Sequence, residues 1–196
     1  MRYEKGRKDA SRRRIMEVAA ERFRSDGIAA SGLAGIMSDA GLTNGAFYPH
    51  FQSKAELVRE SLTSALDDQS QRLQDAFADG GLEAVLAAYL SAEHRDNPGR
   101  GCVSAALLPE LARQPPETRS LYAARLLAMV RQMAASLPPR TRDPEDVALA
   151  IHATLIGTLQ LARATQGTAL SDRILAAGAD AARALVQPRH DRGRRT

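Results

Sequence analysis

The sequence predicts an all-α protein of about nine helices, with an N-terminal three-helix helix-turn-helix domain followed by a C-terminal helical domain. Three observations predict it. Ala, Leu, Arg, Glu and Gln dominate, while aromatics make up only 4% of the chain, so strand signals are weak. Apolar residues recur at helical rather than alternating spacing. Helix starts and stops punctuate the chain at intervals that suit short to medium helices.

The first ten residues are polar and are expected to precede the first helix. That helix runs from Ser11 to Asp26, with Ile15, Val18, Ala19 and Phe23 on one face and Gly27 as its stop. Two short helices follow, at 33–40 and 44–49. Leu33, Ile36 and Met37 give the first an apolar face, Gly41 supplies the turn, Leu42 plugs the angle and Thr43 can N-cap the second. Pro49 ends it. This is a helix-turn-helix pattern, whose second helix is short enough to enter a DNA major groove.

Ser53-Lys54-Ala55-Glu56 reads as a capping box that opens a long helix to about Phe77, with Val58, Leu62, Ala65, Leu66 and Leu73 in its stripe. Asp79-Gly80-Gly81 breaks it. A helix over 82–94 ends in the turn Asp96-Asn97-Pro98-Gly99, and helices at 103–113 and 116–136 flank Pro115-Pro116. The domain boundaries implied are 1–52 for the DNA-binding domain, 53–188 for the second domain, and 189–196 for a basic, disordered tail.

The last two helices differ in character. Asp143-Pro144-Glu145-Asp146 is a strong helix start, and from Val147 to Ala162 the helix is apolar almost all round. A helix without a wet face calls for burial on two sides. Residues 171–186 add a stripe of small and apolar side chains. One reading is a dimer interface, a four-helix bundle of two helices from each subunit, through Ile151, Leu155, Thr158, Ala162, Ile174, Gly178, Ala181 and Leu185. The other is an ordinary core helix.

Charge divides unevenly. Residues 1–54 hold ten Lys/Arg against six Asp/Glu, residues 55–188 thirteen against sixteen, and residues 189–196 four against one. Helices expected at 116, 143 and 171 open with acids that complement the dipole. Those expected at 11, 33, 44 and 53 lack acids in their first two positions, and two of them open with Arg12-Arg13-Arg14 or Lys54. An external anion would resolve that conflict, as helix N-termini with basic side chains do for phosphate.

The run AGLTNGAFYPHFQSKAEL, preceded by a basic helix ending at Gly27 and by Ser31, resembles the DNA-binding domain of the tetracycline-repressor (TetR) family over residues 11–58, through the spacing of Tyr48, His50, Phe51, Ser53 and Lys54. The resemblance implies phosphate contacts by Thr43, Tyr48, His50, Lys54 and Ser31, and a groove-facing set of Asn44, Gly45, Ala46 and Phe47. An asparagine can pair bidentately with adenine, and Ala46 or Phe47 could touch a thymine methyl. Phe51 is expected in the core. The family further implies a ligand-responsive repressor, a homodimer on a pseudo-palindromic operator, and an unidentified small-molecule effector held among the central helices by Leu86, Tyr89, Leu107, Leu111, Leu126, Met129, Met133 and Leu155. Gly32 and Pro49 depart from the family pattern and leave room for a small-molecule-binding protein that has lost DNA binding.

An enzyme is not expected. His50, His94, His152 and His190 show no metal-ligand spacing, and neither a glycine-rich phosphate loop nor a nucleophile elbow is present. No cofactor or metal is implied. The single cysteine, Cys102, excludes an internal disulfide; it reads as a small buried residue, or as a thiol activated at a helix start. No signal peptide or apolar run of membrane-spanning length is expected, which points to a cytoplasmic protein.

Overall fold

The computed structural model describes residues 2–186; the expected basic tail at 189–196 lies outside them. The described residues form eight α-helices and two 3-10 turns, without a strand. In chain order these are α1 (Arg2–Asp26), α2 (Leu33–Asp39), a 3-10 turn (Asn44–Ala46), α3 (Lys54–Tyr89), α4 (Ala92–Asp96), a second 3-10 turn (Pro98–Arg100), α5 (Val103–Leu111), α6 (Pro116–Ala135), α7 (Pro144–Ala164) and α8 (Ala169–Val186).

α1 and the helix expected over 82–94 depart from the expectation. α1 begins at Arg2, not near Ser11. Lys, Arg, Glu and Ala are good helix formers, so a polar segment can extend a helix that is anchored further along by its apolar face. Arg12–Arg14 therefore lie inside a helix and do not oppose the dipole at its start. α3 carries the expected break: Gly80 (φ −164°, ψ 21°) and Gly81 (φ 64°, ψ −150°) are non-helical, and the left-handed φ at Gly81 suits glycine. The helix expected over 82–94 is interrupted after Tyr89 and resumes as α4.

The described residues gather into two compact units, 2–72 with 93–127 and 73–92 with 128–186, so packing divides them elsewhere than at 52/53. In the first unit Ile15, Phe23, Ile36, Met37, Phe47, Phe51, Leu57 and Leu62 share one core with Val103, Leu107 and Leu111 of α5. Leu107 and Leu111, expected to line an effector pocket, are thus core residues of the unit that holds the helix-turn-helix.

In the second unit α7 and α8 run antiparallel. α7 turns Ala148, Ile151, His152, Leu155, Thr158, Leu159 and Ala162 inward, and α8 turns Ser171, Leu175, Gly178 and Ala182 inward. The Ser171 hydroxyl donates to the Ala162 carbonyl at 2.7 Å. Ile151, Leu155, Thr158, Ala162 and Gly178, expected on a dimer interface, are therefore buried inside the protomer. Of that set Ile174 is half-buried, while Ala181 and Leu185 are exposed. By length and composition α7 could cross a membrane, contrary to the expectation that no such run exists. Its inward face has partners within this unit, which accounts for part of that apolar character.

Candidate nucleic-acid interface

Local chemistry explains the path of residues 27–56. α1 stops at Gly27, whose φ of 90° is left-handed, and the Gly27 amide closes on the Phe23 carbonyl at 3.0 Å. α2 ends in a Schellman motif: Leu42 N–H donates to Met37 O and Gly41 N–H to Ser38 O, both at 2.9 Å, with Gly41 at φ 73°. Leu42 packs on the core, as its place after the turn requires. The next segment makes only one 3-10 turn, with Ala46 N–H on Thr43 O at 3.0 Å and Phe47 N–H on Asn44 O at 3.2 Å. Pro49 has no N–H to continue an α-helical ladder, so the expected helix over 44–49 is reduced to turns. Ser53 then caps α3 by accepting the Glu56 amide at 3.1 Å, while the Glu56 carboxylate accepts the Gln52 amide at 2.7 Å.

The side chains sort by exposure. Thr43 occupies the N-cap position with extended backbone but makes no side-chain cap, and it is exposed together with Asn44 and Gly45. Tyr48 is 72% exposed. Ala46 is half-buried against the core. Phe47 departs from the groove-facing expectation: only 1% exposed, it stacks on Phe51 with ring centroids 5.6 Å apart. An aromatic ring at the start of a short turn is worth more to the core than to solvent. Ser31 is also withdrawn; it is fully buried, and its hydroxyl donates to the Gly27 carbonyl at 2.7 Å. Lys54 is half-buried, its Nζ donating to the Ile28 carbonyl at 2.6 Å.

A second set of residues supports this surface from behind. The Arg12 guanidinium forms a bidentate pair with the Glu60 carboxylate and lies 4.5 Å over the Phe51 ring. The pair raises the pKa of Arg12 and lowers that of Glu60. Arg22 bonds Asp39 at 3.0 Å, tying α1 to the end of α2. The sequence reads Arg12 as a cation at a helix start that calls for an external anion; nothing local signals a partner 48 positions away. His50 packs beside Phe51 with a buried Nδ1 that no group bonds. Burial, then the charges of Lys8 and Arg12, hold its pKa below the ordinary value.

Of the other expected effector residues, Leu86, Met129, Met133 and Leu155 are buried in the second unit, where Tyr89 is half-buried; Leu126, in the first unit, is half-buried. An open cleft of about 330 Å³ lies elsewhere, lined by Ile28, Lys54, Val58, Glu110 and Arg113 among others. Cys102 is buried at the N-cap of α5, where its sulfur accepts the Ala105 amide at 3.5 Å.

An all-helical chain with a glycine-turned helix pair on a packed three-helix core is a helix-turn-helix protein. Residues 15–61 match the family model described as bacterial regulatory proteins, tetR family. Curated relatives include the HTH-type transcriptional repressor KstR2 of Rhodococcus jostii, 33% identical over 73 residues, which are 37% of this chain and 36% of that protein. The HTH-type transcriptional regulator TtgR of Pseudomonas putida is 46% identical over 54 residues, 28% of this chain and 26% of that one. The chain thus matches well under half the length of these relatives. The fold likeness is broader. A TetR-family regulator from Cytophaga hutchinsonii superimposes with TM-score 0.76 at 19% identity, covering 93% of this chain and 98% of that one. The regulator FadR of Bacillus subtilis, solved with stearoyl-CoA, gives 0.66 at 17%, covering 89% and 97%.

Proposed function

We propose that this protein is a DNA-binding transcriptional repressor that acts as a homodimer on a pseudo-palindromic operator and releases it when a small molecule binds. The observation that carries this reading is the exposed set Thr43, Asn44, Gly45 and Tyr48, held on a rigid aromatic core in a domain that matches the tetR family model. Thr43, Tyr48, His50 and Lys54 serve as backbone contacts, and Asn44 with Gly45 faces the bases. The matched relatives are transcriptional regulators. A bacterial regulator of DNA works in the cytoplasm.

The dimer face follows from what α7 and α8 leave uncovered. Leu149, Ala153, Ile156, Gly157 and Leu161 form one stripe along α7, with Leu149 48% and Leu161 60% exposed and Ile156 half-buried. Leu170, Ile174, Ala177, Ala181 and Leu185 form the matching stripe on α8. The occupant is a second copy. Alanines and a glycine between larger aliphatic side chains allow close helix approach, and two recognition turns are needed to read two half-sites.

The effector is a small molecule held in the helical region after the DNA-binding domain. It acts as an inducer only by binding the DNA-incompetent state more tightly. Selection of bound sequences from a random duplex pool tests the reading. Recovered half-sites with twofold symmetry support it, and the absence of any salt-sensitive duplex binding overturns it.

A further inference from the structure

We propose that Lys8 is a further DNA-backbone contact, supplied by the N-terminal extension of α1 beside the recognition turn; this rests on the DNA-binding reading above. The geometry begins with Arg12. Its guanidinium sits 4.5 Å over Phe51, and Phe51 stacks on Phe47, which meets Tyr48 edge-on at 5.4 Å. The α1 turn around Arg12 is therefore packed against the 47–51 segment that carries Tyr48 and His50. Lys8 lies four residues before Arg12, one helical turn along the same face. It is exposed, and it is near enough to His50 for its charge to disfavour the imidazolium.

Lys8 and Arg12 have different fates. Arg12 is spent on Glu60 and Phe51, with Asp9 and Glu56 adding to its field. That leaves Lys8 as the group able to reach outward, on a flexible stem suited to a phosphate point charge. A phosphate there would offset the mutual repulsion of Lys8 and Arg12. The extension of α1 to Arg2 is what puts Lys8 on a rigid element; a helix beginning near Ser11 would not.

The test compares wild type, Lys8→Ala, Lys8→Arg and the remote exposed control Arg119→Ala on one selected duplex over a range of salt concentrations. Lys8→Ala removes two phosphate contacts from the dimer, one per subunit, and should lower the magnitude of the slope of log K against log salt by about 1.8. Lys8→Arg should restore it and Arg119→Ala should leave it unchanged. An unchanged slope in Lys8→Ala, with wild type binding normally, overturns the contact while leaving the DNA-binding reading standing. A wild type that does not bind overturns both. An equal loss in Arg119→Ala would mark a net-charge effect and also overturn it.

Discussion

Gly178 of α8 lies directly against the Thr158 side chain of α7, so closely that a β-carbon at 178 would overlap both the threonine hydroxyl and its methyl. The helix pair is built around that absence of a side chain. Gly157, one position earlier on α7, meets nothing within 4 Å. Two glycine positions thus serve opposite purposes.

Gly178→Ala should destabilise the protein by about 1–3 kcal/mol, the usual cost of overpacking, seen as a lower thermal midpoint. Gly157→Ala should be neutral or stabilising in the isolated protomer, since it removes a mid-helix glycine without a clash. A Gly178→Ala variant as stable as wild type would contradict the close approach of α7 and α8.

The exposed stripe makes a separate prediction. Leu149→Glu or Leu161→Glu should shift sedimentation from dimer to monomer while helical circular dichroism is retained. Leu155→Glu should instead unfold the second unit, because it places an unpaired charge in its core. Dimers that persist in both surface variants would move the interface elsewhere.

His152 is 4% exposed with an unpartnered Nε2, and burial lowers its pKa to about 4. The unfolded chain binds this proton near pH 6.5 and the folded chain only near 4. The stability associated with keeping it neutral is therefore complete above about 6.5 and is lost as pH falls toward 4, at up to about 1.4 kcal/mol per pH unit. Denaturant titrations between about pH 7 and 4.5 should show this slope, and His152→Leu should flatten it.

Arg12→Ala removes a bidentate pair and a cation–π contact, both partly exposed, and should cost about 1 kcal/mol. The lowered pKa of Glu60 fixes the sign of the pH effect. The pair contributes above the ordinary carboxylate value of 4.5 and is lost as pH falls through the lower folded value. A double-mutant cycle with Glu60→Gln at about pH 7 and about pH 3 measures both.

Tyr48→Phe should weaken DNA binding about tenfold on all sequences without changing stability, because the hydroxyl is exposed and bonds no group among the described residues. Lys54→Ala should weaken binding and also loosen the domain, since the same ammonium holds the Ile28 carbonyl. Asn44→Ala should relax preference at one base pair. Equal effects of all three on every sequence would refute these roles.

Sequence alone determined the helical class, the Gly41 turn, the Ser53–Glu56 cap and the glycine break after α3, because each depends on residues a few positions apart. It also placed Asn44, Gly45 and Tyr48 on one short exposed segment. Periodicity marks an apolar face but does not name its partner. For that reason α7 read as apolar all round, while only packing against α8 decided that Ile151, Leu155 and Thr158 face inward and Leu149 and Leu161 outward. The same holds for Phe47, which an apolar pattern could assign to a groove or to a core, and for Ser31, whose hydroxyl is taken by the Gly27 carbonyl. Leu107 and Leu111 joined the DNA-binding core, and Arg12 found Glu60, through contacts distant in the chain. Local chemistry wrote the turns; long-range burial chose which side of each helix would meet water.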